Sequence, residues 1–257
     1  MLSLIHQNMI QVRLISLDIF HGTDVDVRLD IQHLPFFAIT PKFMKSIYST
    51  YHRRILTYNR FASLMVGIQN WTYYLIMCFA RVNLQIQSYI YLYKYSRAPF
   101  RRIEIAAIIA YWCWFFLLLS YIPNQIDRFI YAFICYVVTM PLHVQITLSH
   151  FGMSTEDYGP SESFPAKMLR TTMDIACPTW LDFFHGGLQY QAVHHLFPRM
   201  PRHKLRPASH FVQQYAKEVG LTYHIYGFVN GNAKVLNVLK DVAAQIKLLH
   251  HASQVAH

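Results

Sequence analysis

Residues 103 to 122 read IEIAAIIAYWCWFFLLLSYI and residues 129 to 149 read FIYAFICYVVTMPLHVQITLS. The first run carries one charge, Glu104 at its edge, and the second carries none. At a rise of about 1.5 Å per residue, about twenty helical residues cross the roughly 30 Å hydrocarbon layer of a bilayer. These runs predict two transmembrane helices. The connector Pro123 to Arg128 is short, which predicts an antiparallel hairpin. Basic residues precede the first helix (Arg97, Arg101, Arg102) and follow the second (Lys167, Arg170, Arg199, Arg202, Lys204, Arg206). The bias of positive charge toward the cytosol then places both ends of the hairpin on that side.

Composition agrees with this reading. The chain has 257 residues, 54% of them hydrophobic, 16% aromatic and only 14% charged, with a formal net charge of +10. So apolar a chain is not a disordered segment or a solvated nucleic-acid tail, and basic plus apolar points to a membrane surface. No nucleic-acid partner is expected. The cysteines Cys78, Cys113, Cys135 and Cys177 are far apart, without the spacing of a disulfide framework or zinc knuckle. The 15 histidines are the feature that asks for a chemical explanation.

Upstream of the hairpin, Met1 to Asp30 shows no sustained helical stripe and no signal-peptide order. Gln32 to Arg60 mixes Lys42, Lys45, Arg53, Arg54 and Arg60 with Phe36, Phe37, Phe43, Tyr48 and Tyr51, a blend suited to the headgroup layer. Phe61 to Ala80 is uncharged over twenty residues, but Gln69 and Asn70 lie at its centre and both flanks are basic. Re-entrant or interfacial helices are expected there rather than one span. Asn70-Trp71-Thr72 matches a glycosylation sequon, but its place inside an apolar run reads as accidental. Downstream come a polar loop, Met153 to Pro165, a helical stretch Trp180 to Leu196 interrupted by Gly186-Gly187, and amphipathic cytosolic helices over Arg206 to Gly220 and Ala233 to His250. The fold class is therefore an all-α integral membrane protein, a transmembrane hairpin with interfacial and cytosolic helices.

The densest group of metal-ligand residues is Gln191-Ala192-Val193-His194-His195. On a helix, positions i, i+3 and i+4 share one face, so Gln191, His194 and His195 converge. Neutral imidazoles suit iron, zinc or copper, and an amide oxygen is a weaker ligand or a water-binding neighbour. Pro198 disfavours helix through Phe197 and puts the group near a helix end. A surface histidine pair would give the same pentapeptide. His150 ends the second apolar helix with His143 seven residues before it on nearly the same face, and an ionisable group there should face protein or water rather than lipid. For His143 a packed, hydrogen-bonded histidine is the leading alternative to a site residue. His185, next to Gly186-Gly187, is a ligand, a substrate contact or a loop histidine. Lys247-Leu248-Leu249-His250-His251 imitates the paired pattern in a basic tail and is read as a decoy. There is no G-x-S-x-G, P-loop, G-x-G-x-x-G or Glu-x-x-His pair.

Three strings together resemble the carboxyl-terminal part of the membrane fatty-acid and sphingolipid desaturases of the cytochrome b5-fusion type. They are DIQHLPFFAI (Asp30 to Ile39), PLHVQITLSHFGMSTEDYGPSESFP (Pro141 to Pro165) and LDFFHGGLQYQAVHHLFPRMPRHKLR (Leu181 to Arg206). Within that family the resemblance is greatest to the fungal delta-8 sphingolipid desaturases, and it covers residues 30–257, with 1–29 left as a non-matching segment. It implies that Gln191, His194 and His195 form the third histidine box of a di-iron centre, that His150 is an additional iron-binding histidine, and that His185, Gly186, Gly187 and His143 neighbour the metal or the substrate entrance. It also implies a ceramide or acyl lipid substrate, electrons from the haem of cytochrome b5 and its reductase, and an endoplasmic-reticulum location with the box on the cytosolic side. The family's two upstream histidine boxes and fused cytochrome b5 domain have no counterpart, and Val193 stands where the third box usually carries Glu. The expectation is thus a part of a longer enzyme or a mis-started gene model, holding an incomplete iron set and weakly active or inactive alone. The alternatives are a membrane di-iron hydroxylase and a non-catalytic paralogue that associates with full-length desaturases or with its own copies.

Overall fold

The computed structural model describes residues 35–40, 47–49, 54–94, 100–156 and 158–255. Met1 to Asp30, with His6 and His21, lies outside the described residues, as do Lys42, Lys45, Tyr51 and Arg53 of the expected headgroup stretch. In chain order the elements are β1 (Ile47–Ser49), β2 (Arg54–Leu56), α1 (Arg60–Gly67), α2 (Gln69–Met77), α3 (Ala80–Lys94), α4 (Arg101–Ser120), α5 (Gln125–Val137), α6 (Met140–Phe151), α7 (Phe164–Thr171), β3 (Asp174–Ala176), α8 (Asp182–His185), α9 (Gln191–Leu196), α10 (Arg202–Glu218), β4 (Ile225–Gly227) and α11 (Phe228–Val255). Helix dominates, as expected, but the chain is not all-α. β1 and β2 pair antiparallel, and β3 pairs in parallel with β4, Asp174 opposite Ile225. Strands of three residues carry too little alternation to stand out in a sequence.

Two helical stretches are long and apolar enough to cross a membrane, Arg101–Ser120 and Gln125–Phe151. The second is interrupted at Val138 and Thr139 because Pro141 has no N–H to donate and its ring meets the carbonyl of Val137. The Thr139 hydroxyl instead donates to Tyr136 O at 2.6 Å. Residues 61–80 do not form one span. They break at Ile68 into α1 and α2, of eight and nine residues, each far short of a bilayer's thickness.

Two compact units are distinguished by their internal contacts. One is Tyr74–His143. Within it α3 is tied to α5 by Arg81 Nη1 donating to Cys135 O (2.9 Å) and Tyr136 Oη donating to Gln85 Oε1 (3.0 Å), and to α4 by Trp112 Nε1 donating to Tyr89 Oη (2.8 Å). Asn124 starts α5 by accepting from Ile126 N at 3.0 Å.

The other unit joins the described residues up to Tyr73 with those from Val144 onward. Its core has one cluster around Ala38, Val66, Val242 and Ile246 and another around Leu169, Tyr190, Ala192, Val193, Leu205, Val212 and Ala216. Gln69, which interrupts the apolar run in sequence, is fully buried and satisfied. Its amide donates to Ala38 O (3.0 Å) and Leu239 O (2.9 Å) and accepts from Ala38 N (2.9 Å). Phe37, Tyr73 and Phe151 pack ring to ring nearby, and Tyr73 Oη shares a 2.6 Å hydrogen bond with Thr147 Oγ1. The strand pair β3–β4 sits where these pieces meet the histidines: Met173 N donates to Ser149 O and Ile175 N to Gln189 O, each at 2.9 Å.

Candidate metal centre

The Gln191-to-His195 group does fold as a helix, and α9 ends at Leu196, one residue ahead of the Phe197-Pro198 step that disfavours its continuation. Ala192 and Val193 face the core and are completely buried, which turns the other side of α9 toward the end of α6. There His195 Nε2 lies 3.4 Å from His150 Nε2, with the two rings edge to face at 5.0 Å between centroids. These residues are 45 positions apart in the chain. The ring of His194 is 6.0 Å from that of His195, and its Nε2 is buried without a hydrogen-bond partner. Gln191 is buried at the first position of α9.

Two imidazole nitrogens bound to one tetrahedral ion at about 2.0–2.1 Å lie about 3.3–3.4 Å apart, so the His150–His195 spacing fits two ligands of a shared metal ion. Electrostatics favour the same use. Burial pushes the pKa of His195 well below the ordinary histidine value, and the neighbouring His150 and His194 push the same way. His194 is lowered by burial and by Arg202. Both rings are therefore neutral at physiological pH, the form that ligates metals. His150 is further held by a hydrogen bond to the backbone of Thr171, the kind of contact that fixes a ligand ring's orientation. Among the described residues no three His, Cys, Asp or Glu side chains converge as a complete metal cluster.

The other residues singled out from sequence are each placed by the structure in their own element. His185 closes α8, is buried, and leaves Nδ1 without a partner. Burial lowers its pKa, opposed by Asp182. Gly186 (φ 58°) and Gly187 (φ 88°) turn the chain from α8 to α9 in left-handed conformations that residues with a Cβ avoid. A Cβ on Gly187 would meet Leu205 Cδ1 at 3.1 Å. His143 is buried, has contacts of its own and belongs to the Tyr74–His143 unit. His250 and His251 lie on the last turns of α11.

Sequence reasoning missed the polar frame behind the histidines. Arg206 on α10 grips Asp182, with Nε on Oδ2 at 2.6 Å and Nη2 on Oδ1 at 2.5 Å, and Nη2 also donates to Cys177 O at 3.0 Å. Gln189 Nε2 donates to the same Asp182 Oδ1 at 2.8 Å. The Arg206 hydrogen bonds hold the Asp182 carboxyl below the usual carboxylate range, and Asp182 in turn raises Arg206. This bidentate pair closes the turn that carries His185, Gly186 and Gly187. Asp174, fully buried on β3, accepts from Ala192 N at 2.8 Å and from the Tyr223 hydroxyl. Burial pushes its carboxyl up to about 7 despite those two bonds. One signal was present: the family-like string Leu181 to Arg206 contains both members of the Asp182–Arg206 pair, almost at its two ends.

Comparison with known proteins identifies the family. A family model described as fatty acid desaturase matches residues 20–227. The "Delta 8-(E)-sphingolipid desaturase" of Candida albicans is 46% identical over 233 residues, covering 88% of this chain and 40% of its own length. That of Kluyveromyces lactis is 48% identical, covering 84% and 39%. A "Delta(8)-fatty-acid desaturase" from Borago officinalis is 38% identical over 87% of this chain and 50% of its own. The chain thus spans about two fifths of the length of the fungal relatives. No solved structure matches.

Proposed function

The chain belongs to the fatty acid desaturase family, and from that premise we propose that it supplies the third-histidine-box side of a membrane desaturase acting on a sphingolipid long-chain base or a related acyl lipid. The observation that carries the proposal is the 3.4 Å approach of His150 to His195 from distant parts of the chain. His150, His194, His195 and Gln191 are the residues to hold iron. Iron held by these residues would supply the oxygen activation needed to remove two hydrogens from neighbouring carbons, with electrons from cytochrome b5 and its reductase.

The chain's own residues do the rest. The neutral imidazoles of His194 and His195 need lose no proton to ligate. Burial of Ala192 and Val193 locks the helix that carries them. The Asp182–Arg206 pair keeps the glycine turn shut beneath His185. In the topology we propose, α4 and the stretch Gln125–Phe151 form an antiparallel hairpin across the endoplasmic-reticulum membrane. Lys167, Arg170, Arg199, Arg202, Lys204 and Arg206 then lie on the cytosolic side with the histidines.

The test uses the whole chain, purified from membranes of a host that lacks its own long-chain-base desaturase. Expected are iron bound by the wild type, loss of most of it in His195→Ala and His150→Ala, and new unsaturated bases that disappear with the same substitutions. Iron content indifferent to both histidines would overturn the proposal. Hydroxylated rather than unsaturated bases would move the chain to the hydroxylase reading.

A further inference from the structure

Helix α9 is six residues long and lacks a cap of its own, since the side chain of Tyr190 makes no capping hydrogen bond. A helix this short does not persist unaided, because its first N–H groups have no intrahelical acceptors. The missing acceptor comes from a strand eighteen positions earlier: Asp174 Oδ1 takes the hydrogen bond of Ala192 N at 2.8 Å. The residue before Tyr190 is fastened to the same strand, Ile175 N to Gln189 O at 2.9 Å. Two consecutive residues of β3, Asp174 and Ile175, therefore hold the entry to α9 at Ala192 and Gln189.

The carboxylate that does this is itself fixed on every side. Asp174 is fully buried, its own N–H donates to His224 O at 2.9 Å within the β3–β4 pairing, and its second oxygen accepts from Tyr223. Asp174 has no exposure to water, in a chain with only 13 acidic residues. Burying it is costly unless its bonds accomplish something. His195 follows Ala192 by three positions, about one turn further along the same short helix. A shift of the first turn would carry His195 Nε2 away from His150.

We propose that Asp174 is a positioning residue: through Ala192 N–H it sets where α9 presents His195 to His150, with Tyr223 holding the other carboxylate oxygen. This rests on the reading of His150 and His195 as metal holders. A carboxylate that orients a metal-binding element from behind changes metal affinity by about 10- to 100-fold when removed.

The experiment uses the full chain in detergent with cobalt(II) as the metal probe, read by its visible ligand-field bands, alongside amide hydrogen exchange of the 190–197 segment measured without metal. Asp174→Ala is expected to weaken cobalt binding about 10- to 100-fold, to alter the bands of whatever cobalt remains, and to speed exchange in 190–197. Asp174→Asn keeps an acceptor oxygen and should restore slow exchange and most of the affinity. Tyr223→Phe should fall between them. A simple loss of fold would speed exchange throughout the chain, so faster exchange confined to 190–197 separates positioning from general stability. The proposal is overturned if Asp174→Ala binds cobalt like the wild type, or if affinity falls while exchange in 190–197 is unchanged. Should His195→Ala leave cobalt binding intact, the metal reading fails and the positioning role fails with it, while the exchange comparison still decides whether Asp174 caps α9.

Discussion

Helix α4 and helix α9 solve the same problem in opposite ways. α4 is apolar around most of its circumference and turns large side chains outward, Ile109 and Phe116 being 57% and 60% exposed. Its twenty residues satisfy most of their backbone within the helix and are long and apolar enough to cross a membrane. α9 buries Ala192 and Val193 almost without remainder, but six residues cannot hold their own first turn, and its geometry depends on Asp174, Gln189 and the Asp182–Arg206 pair. One element is specified by its own length and apolar composition, the other by a few directional bonds from elsewhere in the chain. A metal centre needs the second kind, because a ligand displaced by 1 Å no longer ligates.

The largest expected effect breaks the first half of that contrast. Ile109→Arg places a charge near the middle of α4, where insertion scales put the penalty at about 2.5–3.5 kcal/mol. The fraction of chain resisting alkaline extraction from membranes should drop sharply. Phe211→Arg, at a residue of α10 that is itself 72% exposed, should leave that fraction unchanged and alter stability by no more than about 0.5 kcal/mol. Equal effects of the two substitutions would remove lipid from the account of α4.

The next effect breaks the second half. Arg206→Ala strips three hydrogen bonds from Asp182 and the Cys177 carbonyl and should destabilise the chain by about 2 kcal/mol in detergent melting. Arg206→Lys should recover only part, because an ammonium lacks the planar fork that holds both carboxylate oxygens. Arg128→Ala in the apolar unit loses a single bond to Ile122 O and should cost about 1 kcal/mol or less. Gly187→Ala falls between Arg206→Ala and Arg128→Ala, expected to cost about 1–2 kcal/mol because the left-handed backbone and the 3.1 Å approach to Leu205 both resist a Cβ. Its iron content should fall more than its melting temperature, since the turn lies directly before α9.

How much of this was legible follows from the same contrast. α4 and the stretch from Gln125 could be read as long helices because their runs are apolar and nearly free of charge, while the break at Pro141 and the start at Gln125, four residues before Phe129, went unplaced. The glycine turn and the helix ending before Pro198 were legible for a related reason, as both are set by residues acting on their immediate neighbours. Asp174 and Arg206 were not, because a capping bond eighteen positions away and an ion pair 24 positions away leave no periodic trace. The splitting of 61–80 into α1 and α2 was half-visible: Gln69 spoiled the run, but its partners, Ala38 and Leu239, lie 31 and 170 positions off.

The smallest effect separates the two acids of the polar frame by pH. Asp174 has a folded pKa near 7 against 3.8 when unfolded, so between these values the folded chain holds a proton that the unfolded chain has released. Stability contributed by this group falls as pH rises across that window and is level above it. Asp182 runs the other way: Arg206 depresses its pKa, so its contribution is complete at neutral pH and is lost only in acid, below the unfolded value. His185, His194 and His195, all shifted down by burial, add stability as pH rises toward 6.5 and would mask the Asp174 slope in a single melting curve. The informative quantity is therefore the difference between wild type and Asp174→Asn, which should grow less favourable to the wild type from pH 5 to 7 and then stay constant. A difference that is flat with pH would mean that Asp174 stays ionised throughout, held by Ala192 and Tyr223 more firmly than its burial opposes.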